Sequence, residues 1–147
     1  MRLRITLCLL VLLPVALSQG TNTCQDWNEA LLKVVKAVVD FTDSNLKAAC
    51  DVPSEKLILQ YMINTLKVLS LKLQKPCIFT FQPLPFNSNC APLNTANVQF
   101  YDFLVYYFST NDILTSMCAQ GCKVDKEAIE LIEHRVIKLQ DILNNLP

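Results

Sequence analysis

Seven cysteines among 147 residues, with only two glycines, constrain this chain more than any other feature of its sequence. One of them, Cys8, lies in an apolar N-terminal segment with the character of a secretory leader, and six follow it. An even number of cysteines in an exported chain indicates disulfide bonds, because the secretory route is oxidising. Strand-rich folds with tight hairpins usually need more glycine. The sequence therefore predicts a small, extracellular helical bundle held by three disulfides.

Residues 1–18 have the three parts of a cleaved signal peptide. Two arginines form a basic start, and residues 5–13 form a run that is apolar except for Thr6. Residues 16–18 (Ala-Leu-Ser) supply the small side chains of a cleavage site. The apolar run is too short for a membrane anchor, which takes about 20 residues. We therefore expect cleavage after residue 18 and a single secreted domain over residues 19–147.

The expected mature chain is close to electrically balanced. Losing Arg2 and Arg4 reduces the 13 basic residues to 11, against 13 acidic residues, which gives a formal charge of −2. There is no basic stripe, so nucleic acid is not an expected partner. Beyond the leader we expect no stable membrane insertion. The length suits one domain with one core, which we expect to be a monomer.

Four segments carry apolar residues at the spacing of amphipathic helices. They run from about Thr23 to Phe41 (segment A), Ser54 to Gln74 (segment B), Thr95 to Thr110 (segment C) and Asp125 to Leu146 (segment D). Thr23 with Asp26 suits a capping box for segment A, and Asp125 suits an N-cap for segment D. Segment C is apolar nearly all round, which predicts the most buried helix. Residues 76–92 form a proline-rich loop with room for a short strand.

The positions of the cysteines bear on the order of the helices. If the four helices simply alternate in direction, three cysteines fall at each end and cannot all pair, because bridged Cα atoms lie within about 7 Å. In an up-up-down-down bundle, Cys77 and Cys90 share one end and the other four share the opposite end. The connection from Asp43 to Ser54 reaches about 33 Å when extended, which suffices for a crossover. The number of cysteines at each end of the bundle therefore favours the up-up-down-down order.

No group of side chains in the sequence marks a catalytic or metal site. Cys118 and Cys122 have a spacing that suits half of a zinc site, but His134 is the only histidine, so two further ligands are lacking. His134 lies near Glu130 and Glu133 with no marked nucleophile. We therefore expect no enzyme activity, no metal and no cofactor.

Two stretches of the chain carry a family resemblance. Residues 41–50 (FTDSNLKAAC) form an aromatic-Thr-x-x-amide-aliphatic run that ends at a cysteine just before segment B. In segment D, Glu130 precedes Gln140 by ten residues, and Trp27 lies near the start of segment A. These features resemble the short-chain four-helix cytokines, within them the interleukin 2, 15 and 21 group, and most of all its interleukin-15-like members.

The resemblance implies an all-α, up-up-down-down four-helix bundle that acts as a secreted signalling ligand. Such proteins bind cell-surface cytokine receptor chains, including a common gamma-type chain, in immune or growth signalling. In the matching cytokines a glutamine at the position of Gln140 touches that shared chain. The resemblance therefore implies receptor binding by Gln140, with smaller contributions from Asn144 and Glu133.

We expect three disulfides, which are Cys77–Cys90, Cys50–Cys118 and Cys24–Cys122. The family pattern implies the pair Cys50–Cys118. Cys77 and Cys90 flank the proline-rich loop, which suggests that they pair with each other. The pair Cys24–Cys122 then contains the two cysteines that remain. An exchange of Cys118 and Cys122 between their partners stays open.

The aromatic side chains of segment C leave an alternative function open. Such a cluster is most often packed core, but it is also compatible with the lining of a cavity for a small apolar ligand. A secreted helical carrier of a small apolar ligand or lipid is therefore the alternative to a signalling ligand. A saposin-like lipid-binding module is a weaker third hypothesis, because the cysteine spacing does not fit its usual pattern.

Overall fold

A computed structural model describes residues 23–110 and 112–147, and all regular secondary structure in these ranges is helical. The helices are α1 (Cys24–Ala48), α2 (Val52–Gln74), α3 (Ala91–Val105, continued by a π-helical turn over Tyr106–Thr110), α4 (Ile113–Ala119) and α5 (Lys126–Asn144). The four predicted amphipathic segments are thus confirmed as α1, α2, α3 and α5. The expected signal peptide, residues 1–18, lies outside the described residues.

The N-terminus of α1 has the capping box that the sequence predicts. The backbone N–H of Asp26 donates to Thr23 Oγ1 at 3.2 Å, and the backbone N–H of Thr23 donates to Asp26 Oδ2 at 3.0 Å. At the other predicted cap, Asp125 holds the N-cap position of α5, but its side chain makes no capping hydrogen bond. Its backbone N–H instead donates to Asn28 Oδ1 at 2.8 Å, which joins the starts of α1 and α5.

Helix α2 begins with a capping box that the sequence analysis missed, two residues before the predicted start. The backbone N–H of Ser54 donates to Asp51 Oδ1 at 2.9 Å, and the backbone N–H of Asp51 donates to Ser54 Oγ at 3.1 Å. The hydrogen bonds from the Ser54 backbone and side chain hold the pKa of Asp51 below its ordinary value of 3.8.

Asp51→Ala should lower the melting temperature at neutral pH, because α2 loses the side-chain acceptor of its N-cap. The pKa of Asp51 is lower in the folded chain than in the unfolded one. Its charged form therefore stabilises the fold above the ordinary pKa and loses that contribution as pH falls through the folded pKa. The difference in melting temperature between Asp51→Ala and the wild type should therefore shrink below about pH 4. A difference that stays constant from pH 7 to pH 2.5 would contradict this origin.

Three disulfides join the helix ends, and they are Cys24–Cys122, Cys50–Cys90 and Cys77–Cys118. The predicted pair Cys24–Cys122 is confirmed. The predicted pairs Cys77–Cys90 and Cys50–Cys118 are wrong, because Cys77 and Cys90 lie at opposite ends of the bundle. The loop between them runs the length of the molecule.

The disulfides show at which end of the bundle each helix starts or ends. Cys50 lies between the end of α1 and the start of α2, and Cys90 holds the N-cap position of α3. These three helix ends therefore meet at one end of the bundle. Cys24 begins α1 and Cys122 precedes α5, so both of these helices start at the opposite end.

The ends of α2 and α3 complete the topology. Cys77 follows α2 and is bonded to Cys118, close in sequence to Cys122, so α2 ends where α1 and α5 begin. Lys72 near the end of α2 forms an ion pair with Asp112 just beyond α3, so α3 ends there as well. The long helices α1, α2, α3 and α5 therefore run up-down-down-up.

The up-up-down-down order predicted from the sequence is not confirmed. That order needed residues 43–54 to cross the bundle, but α1 continues to Ala48 and leaves only residues 49–51 before α2. An extended connection of that length reaches about 13 Å, whereas α2 is about 35 Å long. The long crossover is instead residues 75–90, which reaches about 50 Å when extended.

Helix α2 is the most buried helix, so the prediction that segment C forms the most buried helix is wrong. Eleven residues of α2 are buried, against four of α3. Helix α2 packs along α5, contacts α1 and is covered in part by the crossover, while α3 packs mainly on α1. The outer face of α3 keeps Val98 and Tyr106 exposed.

Lys72 anchors the crossover and is buried at 3% exposure. Its Nζ donates to the backbone oxygens of Phe79 at 2.6 Å and Pro76 at 3.3 Å, and it lies 2.9 Å from Asp112 Oδ2. Asp112 also caps α4, because its Oδ1 accepts from the backbone N–H of Leu114 at 3.0 Å. One buried cation therefore joins α2, the crossover and the start of α4.

Candidate functional site

A groove of about 300 Å³ runs between α2 and α5, and it contains two of the three predicted receptor-binding residues. It is lined by Lys67, Val136, Ile137, Gln140, Asp141 and Asn144. The two helices run antiparallel and form the most extensive helix contact in the described residues. Their regular packing fixes the backbone positions from which these side chains project.

Gln140 lies at the edge of the buried face of α5, as its position after Leu139 predicts. Leu139 is fully buried and Gln140 is half-buried. The Nε2 of Gln140 donates to Asn144 Oδ1 at 3.0 Å, so the two amides form one unit along the groove. A primary amide offers two N–H donors and an oxygen with two lone pairs. This mutual bond uses only part of that capacity, so the pair can still bind a partner's backbone.

Glu133 lies two turns before Gln140, about 10 Å along the helix axis. Its Oε2 accepts a hydrogen bond from Ser70 Oγ at 3.4 Å, and Ser70 is buried against α5. Ser70 Oγ also accepts from Gln74 Nε2 at 3.1 Å. Glu133 therefore helps to hold α5 on α2, beside the groove but outside its lining.

Ile137 is the most exposed apolar residue among the groove residues that were not predicted from the sequence. Its side chain is 66% exposed, although its apolar neighbour Val136 is partly buried against the core. The available signal was its position, because Ile137 falls outside the apolar stripe that passes through Val136 and Leu139. An apolar residue outside the stripe of an amphipathic helix is a candidate for contact with a partner.

The first stretch of the family resemblance, residues 41–50, has a structural role at the end of α1. Thr42 and Asn45 are fully buried. Thr42 Oγ1 donates to the backbone oxygen of Val39 at 2.6 Å, and Asn45 Nδ2 donates to Asn97 Oδ1 at 2.9 Å. The Thr42 bond lies within α1 and the Asn45 bond joins α1 to α3, and neither residue lines the groove.

The residues considered for a metal or catalytic site either form disulfides or lie exposed on a helix. Cys118 and Cys122 both form disulfides, so neither sulfur is a thiolate ligand. His134 is exposed on α5. In residues 23–110 and 112–147, no group of three or more His, Cys, Asp and Glu side chains could hold a metal ion. The same residues contain no helix long and apolar enough to cross a bilayer.

The aromatic residues of α3 and its π-helical turn pack against other aromatic rings. Phe100 and Phe108 are fully buried. The ring of Phe41 lies 6.4 Å from that of Phe100, and the ring of Phe81 lies 6.0 Å from that of Phe108. Phe100 and Phe108 therefore belong to the packed core.

Comparison with protein-family models, with curated proteins and with solved structures finds no match to this chain. The geometry of the groove and the resemblance carried by the sequence are therefore the grounds for a function.

Proposed function

We propose that this chain is a secreted, cytokine-like signalling ligand that binds cell-surface receptor ectodomains through the groove between α2 and α5. The observation that carries the proposal is the amide pair of Gln140 and Asn144 beside the exposed side chain of Ile137. An exposed apolar side chain next to polar groups matches the apolar core and polar rim of a protein interface.

The charges in the groove add specificity to this contact. Lys67 on α2 and Asp141 on α5 line the groove with Gln140. A receptor surface that places a negative charge opposite Lys67 and a positive charge opposite Asp141 would be attracted. The reverse placement would be repelled. Ile137 would supply the apolar contact and the Gln140–Asn144 pair the directional hydrogen bonds.

The sequence resemblance supports the proposed class of partner. A glutamine ten residues after a glutamate in the last helix resembles the interleukin 2, 15 and 21 group, in which it meets the common gamma-type chain. The three disulfides fit an oxidising compartment, in agreement with the expected signal peptide. The helix order differs from the one that the resemblance implies, so the proposal depends on the exposed face of α5 and not on the topology.

Gln140→Ala should reduce receptor binding by about 30-fold or more, which corresponds to about 2 kcal/mol for a hot-spot residue. The melting temperature should change little, because the lost hydrogen bond to Asn144 is exposed at the surface. We suggest measuring affinity by surface plasmon resonance against a panel of purified cytokine-receptor ectodomains that includes the common gamma chain. A signalling assay on cells that respond to the wild type complements it.

Gln99→Ala provides a matched control, because Gln99 is an exposed glutamine on α3, away from the groove. It should keep full affinity and potency. Full potency of Gln140→Ala, or a loss explained by unfolding, would contradict the assignment of the groove. Organic extraction of the secreted protein followed by mass spectrometry tests the alternative, and a stoichiometric lipid would favour the carrier.

A further inference from the structure

The outer face of α2 and the crossover together expose a row of large aliphatic side chains. We call it the α2–crossover patch, and it comprises Leu57, Val68, Leu71, Ile78 and Leu84. Nine large apolar side chains are exposed in the described residues, and five of them belong to this patch. Such a concentration differs from the single exposed apolar residues that every protein surface carries.

Three residues of the patch lie on the exposed face of α2, where exposed polar side chains also lie between Leu57 and Val68. Leu57, Val68 and Leu71 are separated by eleven and three residues, so they share one helical stripe. Ile78 follows Leu71 by seven residues and lies in the turn after α2, where its backbone N–H donates to the backbone oxygen of Lys75 at 3.2 Å. The patch therefore extends past the end of the helix into the crossover.

The crossover holds Leu84 against the same stripe. Tyr61, one turn after Leu57, donates from its hydroxyl to the backbone oxygen of Leu84 at 2.6 Å. The ring of Tyr61 also packs on Phe86, with 5.1 Å between the centroids. Burial raises the pKa of Tyr61, so the hydroxyl stays protonated and donates at physiological pH.

The two most exposed residues of the patch are held by rigid neighbours. Ile78 is 77% exposed and follows Cys77, which is tied to α4 by a disulfide. Leu84 is 75% exposed and lies between Pro83 and Pro85, whose rings fix the backbone. A backbone that is already restrained loses little conformational entropy when it binds, which favours a docking role.

The patch lies in a part of the chain that carries positive charge only. Between Glu55 and Asp102 there are four lysines and no carboxylate. Lys72 is buried and paired with Asp112, while Lys75 is exposed and lies between Leu71 and Ile78 in sequence. Lys67 lines the α5 groove together with Asp141. The charge that complements this rim is negative.

We propose that the α2–crossover patch docks a partner protein whose apolar surface is rimmed by carboxylates. The proposal does not depend on the receptor contact at Gln140, because it uses the outer stripe of α2 and the crossover. A second copy of this chain fits less well, since a two-fold contact would bring the lysine rims together. An anionic membrane also fits less well, because lipid recognition usually takes clusters of four to eight basic residues.

The test uses an array of purified extracellular protein domains probed with the labelled full chain. The variant Ile78→Asp/Leu84→Asp changes two exposed side chains, so it should fold normally, which the melting temperature checks. It should weaken binding to the patch partner by about 30-fold or more. Lys75→Glu should weaken it by about 5- to 10-fold, and wild-type affinity should fall as NaCl rises from 50 to 300 mM.

Two matched controls separate the patch from general surface effects. Val98→Asp places a carboxylate at an exposed apolar position on α3, and Lys138→Glu reverses an exposed charge on α5. Both should bind the partner like the wild type. The proposal is supported when one domain loses affinity for both patch variants but not for the controls.

Three results would overturn the proposal. The first is that every domain bound by the wild type also binds Ile78→Asp/Leu84→Asp with equal affinity, or that no domain binds. The second is binding to phosphatidylcholine vesicles with 30% phosphatidylserine that the patch variants abolish, which would assign the patch to a membrane. The third is self-association in analytical ultracentrifugation that the patch variants abolish, which would assign it to a second copy.

Discussion

Replacing Lys72 by methionine should lower the free energy of unfolding by about 3 to 5 kcal/mol, the usual effect of removing one partner from a buried ion pair. Methionine keeps most of the side-chain volume, so the loss is mainly electrostatic. Asp112 keeps its negative charge at a mostly buried site without the cation that neutralises it. The backbone oxygens of Pro76 and Phe79 lose a donor at the same time.

Chemical denaturation of three variants separates this effect from a simple loss of charge. Lys75→Met removes an exposed lysine three residues away and should change stability by less than about 0.5 kcal/mol. Asp112→Asn keeps a side chain that can cap α4 while it removes the negative charge. The double variant Lys72→Met/Asp112→Asn should therefore be less destabilised than the sum of the single variants. A loss below 1 kcal/mol for Lys72→Met would contradict the anchoring role of this cation.

Replacing both Cys24 and Cys122 by serine should lower the free energy of unfolding by about 4 to 5 kcal/mol. This disulfide joins residues 98 positions apart, and closure of so long a loop constrains the unfolded chain strongly. Asn28 spans the same junction, because its Nδ2 donates to the backbone oxygen of Lys123 at 2.9 Å. The folded junction should therefore keep its geometry, and helix content by circular dichroism should remain near the wild-type value.

The matched comparison removes a shorter cross-link. Cys50 and Cys90 close a separation of 40 residues, for which the same relation gives about 4 kcal/mol. Denaturant titration of both serine pairs, with the remaining linkages checked by non-reducing peptide mapping, measures the difference. A negligible effect of the Cys24/Cys122 change, or peptides that link Cys77 to Cys90, would contradict the disulfide arrangement.

The candidate site could be predicted from the sequence only in part. Gln140 and Asn144 were identified from the family resemblance, and helical periodicity placed Gln140 at the edge of the buried face. The groove could not be predicted, because it requires Lys67 of α2 to lie beside α5. Ile137 was missed for the same reason, since its exposure is significant only when the neighbouring surface is known.

The sequence by itself determined the four long helices and the capping box of α1. The pair Cys24–Cys122 was predicted only as the remainder of two pairs that are wrong. Periodicity and capping depend on neighbours within a few residues, so the sequence records them directly. The predicted burial of segment C was wrong, because periodicity measures how apolar a helix is and not how many elements cover it. Helix α2 is covered by α1, α5 and the crossover, although its sequence also shows a polar face.

Only the tertiary structure decided the direction of the helices and the other two disulfides. The deciding residues are 43–48, which continue α1 instead of forming a crossover and leave a connection too short to span the bundle. Four cysteines then lie at one end of the bundle and two at the other. All six can therefore pair in the up-down-down-up order, which was not among the two orders compared from the sequence. An even number of cysteines limits which topologies can pair, but the lengths of the connections choose among them, and those depend on where each helix ends in the folded chain.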